Sequence, residues 1–421
     1  MSFHPESIAA QLGRLGRQLL NVSKHEGASG VALRLRSALA ARLVAESEVL
    51  PVARADVLAA DLSCRFDPPI PDLEPGRAPI VNWVTTPPAP RSGGHTTLFR
   101  IIRHLASRGY QNRLYFYDVY RSDLRYYEAI VRRHYDFDGH VATVDHGMAD
   151  AHAVVATAWP TAYPVFNSRC RGLRFYFVQD FEPYFHPCGA ASHLAENTYR
   201  MGFHGITAGR WLAGKLQTEF GMEADFFDFG SDASRYRLLS DAKRAGVAFY
   251  ARPGAARRAF ELGMIAMELF AARRPDIELH FYGAQIGKRS FPFIDHGSIA
   301  PEQLNLVYNR CYAGLSLSMT NASLVPHEML AAGCIPIVND ADHARLVLDN
   351  PFIRYAPPYP AALATALEDV VTASDFDALS RAASASVRAT TWEEAGDKVD
   401  SIIRKTITAR ARTKSVDTIP G

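Results

Sequence analysis

Ser318–Asp340 reads S-M-T-N-A-S-L-V-P-H-E-M-L-A-A-G-C-I-P-I-V-N-D. An apolar strand ends at Ser318, a polar loop follows at Thr320–Ser323, and a helix starts near Leu324 or Val325. Pro326 suits the first turn of that helix, where a missing N–H leaves nothing unpaired. Gly333 ends it, and Pro336 with Ile337–Val338 opens the next strand. The first N–H groups of such a helix have no partner within it, which makes its start a place for a phosphate. Strand, loop, helix and strand in this order form the repeating unit of a parallel sheet covered by helices.

Outward from this segment the same alternation continues in both directions. On the C-terminal side of residue 247 the pattern predicts strand Val247–Tyr250, helix Ala256–Arg273, strand Ile277–Tyr282, helix Pro301–Cys311, strand Ala313–Ser318, helix Pro326–Ala332 and strand Ile335–Val338. Between residue 80 and Phe229–Gly230 it predicts strands Ile80–Val84, Arg113–Tyr117, Val154–Ala158, Leu173–Val178 and Gly205–Thr207, with a helix over Thr96–Ser107. The fold class is therefore α/β, with two doubly wound units whose carboxyl strand edges face a cleft, the usual place for a ligand. A long helix is expected over Trp392–Arg410 and a disordered tail over Thr413–Gly421. The expected divisions are 1–75, a helical extension with a proline-rich linker; 76–231, the first doubly wound domain; 232–390, the second; and 391–421, a helix returning toward the first domain, plus the tail.

Composition narrows the function classes. The 421 residues carry 46 Lys and Arg against 44 Asp and Glu, a formal charge of +2, too balanced for a general nucleic-acid binder. Cys64, Cys170, Cys188, Cys311 and Cys334 are odd in number, widely spaced and without a C-x-x-C, which points to reduced thiols rather than disulfides or zinc. The start M-S-F-H-P-E-S lacks the order of a signal peptide, and no apolar run reaches the ~18 residues of a bilayer span. A cytoplasmic protein is expected. Residues 1–42 hold six Lys and Arg against two Glu on helical stretches Ser7–Leu20 and Val31–Leu50. They read either as a peripheral attachment to an anionic membrane face or as an arm packing on this chain or a second copy, the reading favoured here. The triplets Asp136–Asp138, Asp340–Asp342 and Asp375–Asp377 read as helix caps or surface loops, and no metal ligand set is expected.

The motifs also carry a resemblance. Ser318–Asp340 resembles the donor-site signature of glycosyltransferase family 4, a family of GT-B fold with two Glu separated by seven residues. Glu328 stands at the second Glu, which in the family holds the nucleotide ribose. Thr320 stands where the first Glu, near the donor sugar, would be. In Y-A-R-P-G-A-A-R-R, Tyr250–Arg258, the resemblance puts Arg252 and Arg257 on the donor diphosphate, Arg257 in place of a Lys. Arg suits that task because its planar fork stays charged and binds two oxygens. Arg258 joins the donor side, and one of Arg257 and Arg258 is expected to face solvent. The F-I-D-H-G stretch, with Asp295 and Gly297, corresponds to the backbone beside the nucleobase. Thr320, Ser323, Leu324 and Val325 complete the donor-binding candidates.

In the first domain, Gly93 and Gly94 of P-R-S-G-G-H-T-T resemble the acceptor-side loop of GT-B enzymes, which faces the diphosphate across the cleft, with His95 beside them and Thr96 as a cap. F-Y-F-V-Q-D-F-E-P-Y-F, Phe175–Phe185, with S-H-L-A-E-N-T-Y-R-M-G, Ser192–Gly202, resembles the WsaF-like rhamnosyltransferases of bacterial surface-glycan assembly. There Gln179, Glu182 and His95 are acceptor-binding candidates, and Asp180 a candidate proton acceptor. Tyr176, Phe181, Tyr184 and Phe185 read either as a sugar-stacking platform or as core, with core favoured for Tyr176 and Phe181. The resemblance spans residues 78–405. It implies transfer of a sugar, rhamnose from a dTDP-linked donor, to a glycan or lipid-linked glycan. Retention, no metal, and no cofactor beyond the nucleotide-sugar substrate are implied with it. Thr320 motivates an alternative, a silent nucleotide-sugar-binding subunit. A nicotinamide-dependent oxidoreductase lacks its G-x-G-x-x-G.

Overall fold

A computed structural model describes residues 50–63, 68–74, 76–90, 92–232, 234–240, 243–321, 324–387 and 391–416. Two parallel sheets carry the chain. The first has seven strands in the order β3-β2-β1-β4-β5-β6-β7: β1 Ile80–Thr85, β2 Gln111–Phe116, β3 His140–Thr143, β4 Ala153–Ala156, β5 Leu173–Val178, β6 His204–Ala208 and β7 Ala224–Phe227. The second has six in the order β10-β9-β8-β11-β12-β13: β8 Gly246–Tyr250, β9 Glu278–Tyr282, β10 Ile294–Asp295, β11 Cys311–Leu315, β12 Ile335–Asn339 and β13 Arg354–Ala356. In each sheet the order reverses beside the first strand, at β1/β4 and at β8/β11. Crevices at the carboxyl ends of strands open at such switch points.

Apolar runs such as L-R-F-Y-F-V in β5 are buried along their whole length because helices cover both faces of a parallel sheet. Phe177 stacks on Phe227 at 5.4 Å and meets Trp83 edge-on at 6.1 Å. The one polar atom of that indole, Nε1, donates to buried Asn112 Oδ1 at 2.9 Å, so its burial leaves no unpaired donor. Tyr176 and Phe181 are core, as their sequence context predicts.

Several boundaries differ from the sequence reading. The helix expected from Thr96 starts at Gly93, so Gly93 and Gly94 sit in its first turn and not in a loop. Thr96 does not cap it. Its hydroxyl donates back to Ser92 O. The helix expected from Ala256 breaks: Ala256–Arg258 form a single 3-10 turn, Ala259 takes a left-handed φ of 46°, and the α-helix runs Phe260–Arg273. The strand expected to reach Ser318 ends at Leu315. Strands β3, β7, β10 and β13 were not foreseen. All four lie at or next to a sheet edge and are short or weakly apolar. Asp136 and Asp375 are helix caps, and Asp340 pairs with Arg345 on the surface.

The expected N-terminal helices fall almost wholly on residues 1–49, outside the described residues. The proline-rich stretch is not a free linker. Asp56 accepts from Tyr117 Oη at 2.6 Å, Pro69 O from Gly172 N at 2.8 Å, and Asp72 O lies 3.3 Å from His152 Nε2. At the other end the helix Trp392–Val416 runs past the expected stop at Arg410, and residues 417–421 lie outside the described ones. Ala395, Val399, Ile402, Ile403 and Ile407 share one face, and that face is buried in the core of the first sheet unit. The chain therefore returns to its first domain after completing the second. No helix among the described residues is long and apolar enough to cross a membrane.

Both crossings meet at Gly230. A Cβ there would lie 2.4 Å from Trp392 N and 2.6 Å from Thr391 C, main-chain atoms that no rotamer change can move. Gly230→Ala should destabilise the protein by about 1–3 kcal/mol, the usual cost of overpacking. A melting curve beside wild type checks this.

Candidate active site

The carboxyl ends of β5, β6, β8 and β11 converge. Gln179 and Asp180 follow β5, Ala208 ends β6, and the turn with Arg257 and Arg258 comes after β8. The loop Ser316–Asn321 follows β11. Asn321 reaches from the second domain into the first. Its main-chain N–H donates to Asp180 Oδ1 at 2.8 Å, and its Nδ2 donates to Gln179 O and Ala208 O, each at 2.9 Å. Its own carbonyl accepts from Ser318 Oγ at 2.7 Å, which ties the loop back to its strand. Sequence reasoning passed over Asn321. The only available signal was a polar residue between a buried strand and a helix.

Arg257 meets the same carboxylate, with Nε 3.4 Å from Asp180 Oδ2. Its guanidinium lies 4.4 Å above the ring of Phe185, and its carbonyl accepts from Met319 N at 2.8 Å. Arg258 turns inward under Tyr250, 5.9 Å from the ring centre, and burial lowers its pKa without taking an arginine near neutrality. Neither arginine faces open solvent, contrary to the expectation for one of them. Arg252 is the exposed one, its side chain running past Gly283.

Four buried polar atoms here lack hydrogen-bond partners: Arg257 Nε, Arg258 Nη1, Thr320 Oγ1 and Asn321 Oδ1. Buried polar groups are nearly always paired, so a cluster of orphans marks a place built for something else to bind. Two of the four belong to cations, so the cluster is complementary to an anion.

Glu328 lies deeper, on the helix Val325–Ala331, and is half-buried. Desolvation pushes its carboxyl up to about 7, against the opposing pull of Arg100, while Asp232 pushes the same way as burial. Arg100 itself pairs with Asp232 at 2.7 Å and stacks on Trp392 at 4.6 Å, a junction between the domains that the sequence did not reveal. Leu324 packs against the core of the first domain and Val325 within that of the second, so only their main chain can serve a ligand. Ser323 lies outside the described residues.

Other candidates are committed elsewhere. Asp295 accepts from Ile286 N at 2.8 Å and Gly297 N at 2.9 Å, shaping its loop. Gly297 needs its φ of 58° there, and its carbonyl accepts from Gly283 N. His95 is spent on its own loop, its ring nitrogens 3.1 Å from Ser92 Oγ and 3.3 Å from Thr86 O, with a pKa lowered by burial. Gln179 donates from Nε2 to Gly94 O at 3.1 Å. Glu182 is turned away from any acceptor: it is buried, and Oε2 accepts from Trp159 N at 2.6 Å, at the start of a helix. Tyr184 and Phe185 remain open, 53% and 37% exposed.

Residues 245–368 match the model of the WsaF C-terminal domain. The matched stretch holds Arg252, Arg257, Arg258, Asn321 and Glu328. Over 255 residues, 58% of its length, the chain is 33% identical to the O-antigen biosynthesis protein RfbC of Myxococcus xanthus, and it spans only 20% of that relative. Among solved structures, WaaG, a glycosyltransferase involved in lipopolysaccharide biosynthesis, superposes with a TM-score of 0.55 at 14% identity, over 77% of this chain and 99% of WaaG. A Listeria monocytogenes protein described as a UDP-N-acetylglucosamine 2-epimerase gives 0.53 at 9% identity, over 78% and 96%. The fold around the WsaF-type domain is GT-B. Since a transferase and an epimerase share it, the chemistry must come from the site.

Burial pushes the Glu182 carboxyl up to about 8, with nearby Asp180 adding to the shift and the Trp159 N–H opposing it. An acid whose folded pKa is raised keeps its proton on folding, so stability declines as pH rises from about 4.3 toward 8. Glu182→Gln keeps an acceptor for Trp159 and cannot ionise. Its melting temperature should decline less than that of wild type between pH 5 and pH 8.5, and paired melting curves across that range check this.

Proposed function

We propose that the chain is a glycosyltransferase that moves a sugar from a nucleoside diphosphate donor to a growing surface glycan, most simply rhamnose from dTDP-rhamnose. The observation that carries this reading is the pair of inward guanidiniums, Arg257 and Arg258, with unpartnered buried N–H atoms beside the Thr320 and Asn321 orphans. The WsaF-type domain and the likeness to an O-antigen biosynthesis protein support it and point to a polysaccharide as product.

Breaking the bond between sugar and diphosphate builds negative charge on the leaving oxygen. Fixed cations at that spot lower the barrier because they need no reorganisation as charge develops. Arg257 and Arg258 supply it here, and Arg252, at the exposed rim, reaches the outer phosphate. Glu328, ionised above about pH 7, accepts from the ribose hydroxyls. Thr320, without a charge of its own, leaves the donor sugar a neutral hydroxyl partner. Asp180 Oδ1 is committed to Phe181 and Asn321 and Oδ2 faces the Arg257 cation, so no residue is assigned as an enzyme base, in keeping with transfer that retains configuration by attack on the leaving-group face. Tyr184 and Phe185 offer open rings to the acceptor. Domain closure limits loss of donor to water.

Thr320 also supports a second reading, a subunit that binds the nucleotide-sugar without transferring it. Calorimetry with dTDP, UDP and GDP, then a transfer assay, separates the two. Wild type should bind at least one of these nucleotides. Arg257→Ala should weaken that binding tenfold or more and lower turnover by about 10²–10³, the range for losing one charge-stabilising donor. Binding without transfer would favour the second reading. A chain that binds none of the three nucleotides would overturn both.

A further inference from the structure

Asp180 is held by both domains. Oδ1 accepts from its neighbour Phe181 N at 2.9 Å and from Asn321 N at 2.8 Å, so the carboxylate cannot swing. Oδ2 faces Arg257, but differently. Nε lies 3.4 Å away, and its hydrogen has no acceptor in bonding geometry. The contact is Coulombic and not a locked fork. The Arg257 side chain keeps about a third of its surface open (32%), and its guanidinium rests on the ring of Phe185. Of this pair the arginine is the mobile partner and the carboxylate the anchor.

A carboxylate and a diphosphate want the same edge of that guanidinium, and their charges repel at this range. We propose that Asp180 is an exchangeable counter-ion for Arg257: it yields the guanidinium to the donor diphosphate and reclaims it to help expel the nucleoside diphosphate product. This rests on the glycosyltransferase reading and adds a positioning role to it. Asp180 acts through Arg257 and touches no reacting atom. Arg258 and His343 also feel the Asp180 charge, and Glu182 is the other carboxyl near it. Arg258 lies deeper and, among the described residues, its Nη1 has no hydrogen-bond partner, so it stays with the ligand while Arg257 alternates. Because the same carboxylate receives Asn321 N–H, reclaiming Arg257 takes place without releasing the second domain.

The test uses the full chain with Asp180→Asn. The amide oxygen still accepts from Phe181 and Asn321, and the competing charge is gone. Calorimetry with dTDP, UDP or GDP, whichever wild type binds most tightly, should show binding tighter by about three- to tenfold. Because release of product slows, kcat and donor KM should fall together, with kcat/KM changed less than about twofold. A merely structural role would instead lower kcat/KM. In an Arg257→Gln background the gain in affinity from Asp180→Asn should vanish, as expected for two groups acting as one unit. Unchanged or weaker nucleotide binding in Asp180→Asn overturns the proposal, and so does a gain that persists without Arg257. Asp180→Ser, whose hydroxyl also accepts, carries the same test if the Asn variant does not fold. Wild type that binds none of dTDP, UDP and GDP sinks the enzyme reading itself, an outcome distinct from wild type that binds and a variant that gains nothing.

Discussion

A single carboxylate, Asp180, receives a backbone N–H and a guanidinium from the opposite domain, and the geometry of the cleft depends on that convergence. Around it Asn321 lays its side-chain amide across the ends of two strands of the first sheet. Asn321 is buried and Asp180 largely so, so leaving these bonds unmade would cost desolvation of their atoms. That cost restricts how the two domains meet at this point. The loop after β11 and the turn after β8 are thereby brought to the end of β5, and two arginines are turned inward.

The same desolvation makes the site selective. Water would mute the charges of Arg257 and Arg258, whereas in a partly dry cleft each is worth far more to an anion. The acids respond oppositely. Glu182 and Glu328 are pushed upward by burial, and each is answered by a nearby donor or cation. Glu182 serves the structure by holding the start of a helix. Glu328 is linked electrostatically through Arg100 and Asp232 to the crossing where the chain passes from one domain to the other.

The far end of the chain completes the arrangement. The helix Trp392–Val416 buries its apolar face in the first domain, and Trp392 stacks beneath Arg100. Each domain therefore has its own core, yet two covalent crossings lie together at Gly230.

Much of this was written in the order of residues. Continuous apolar runs separated by helical patterns can only be buried as a parallel sheet covered on both faces, so two doubly wound units were legible from Ile80 to Val338. The stretch Ser318–Asp340 was enough to place Glu328 on a helix beside a cleft. The proline-rich stretch misled, since prolines mark an irregular path but not whether it is free, and Pro69 is in fact bonded to the first domain. Side-chain fate was likewise hidden. Glu182 and Gln179 follow the same strand by a few residues, yet one is buried under a helix start and the other lies at the cleft. Asn321, Arg100 and the inward turn of Arg258 depend on atoms that approach from distant parts of the chain. Periodicity records which face of an element avoids water, a local property. Which charge meets which partner is set by packing between domains, and only the tertiary structure decides it.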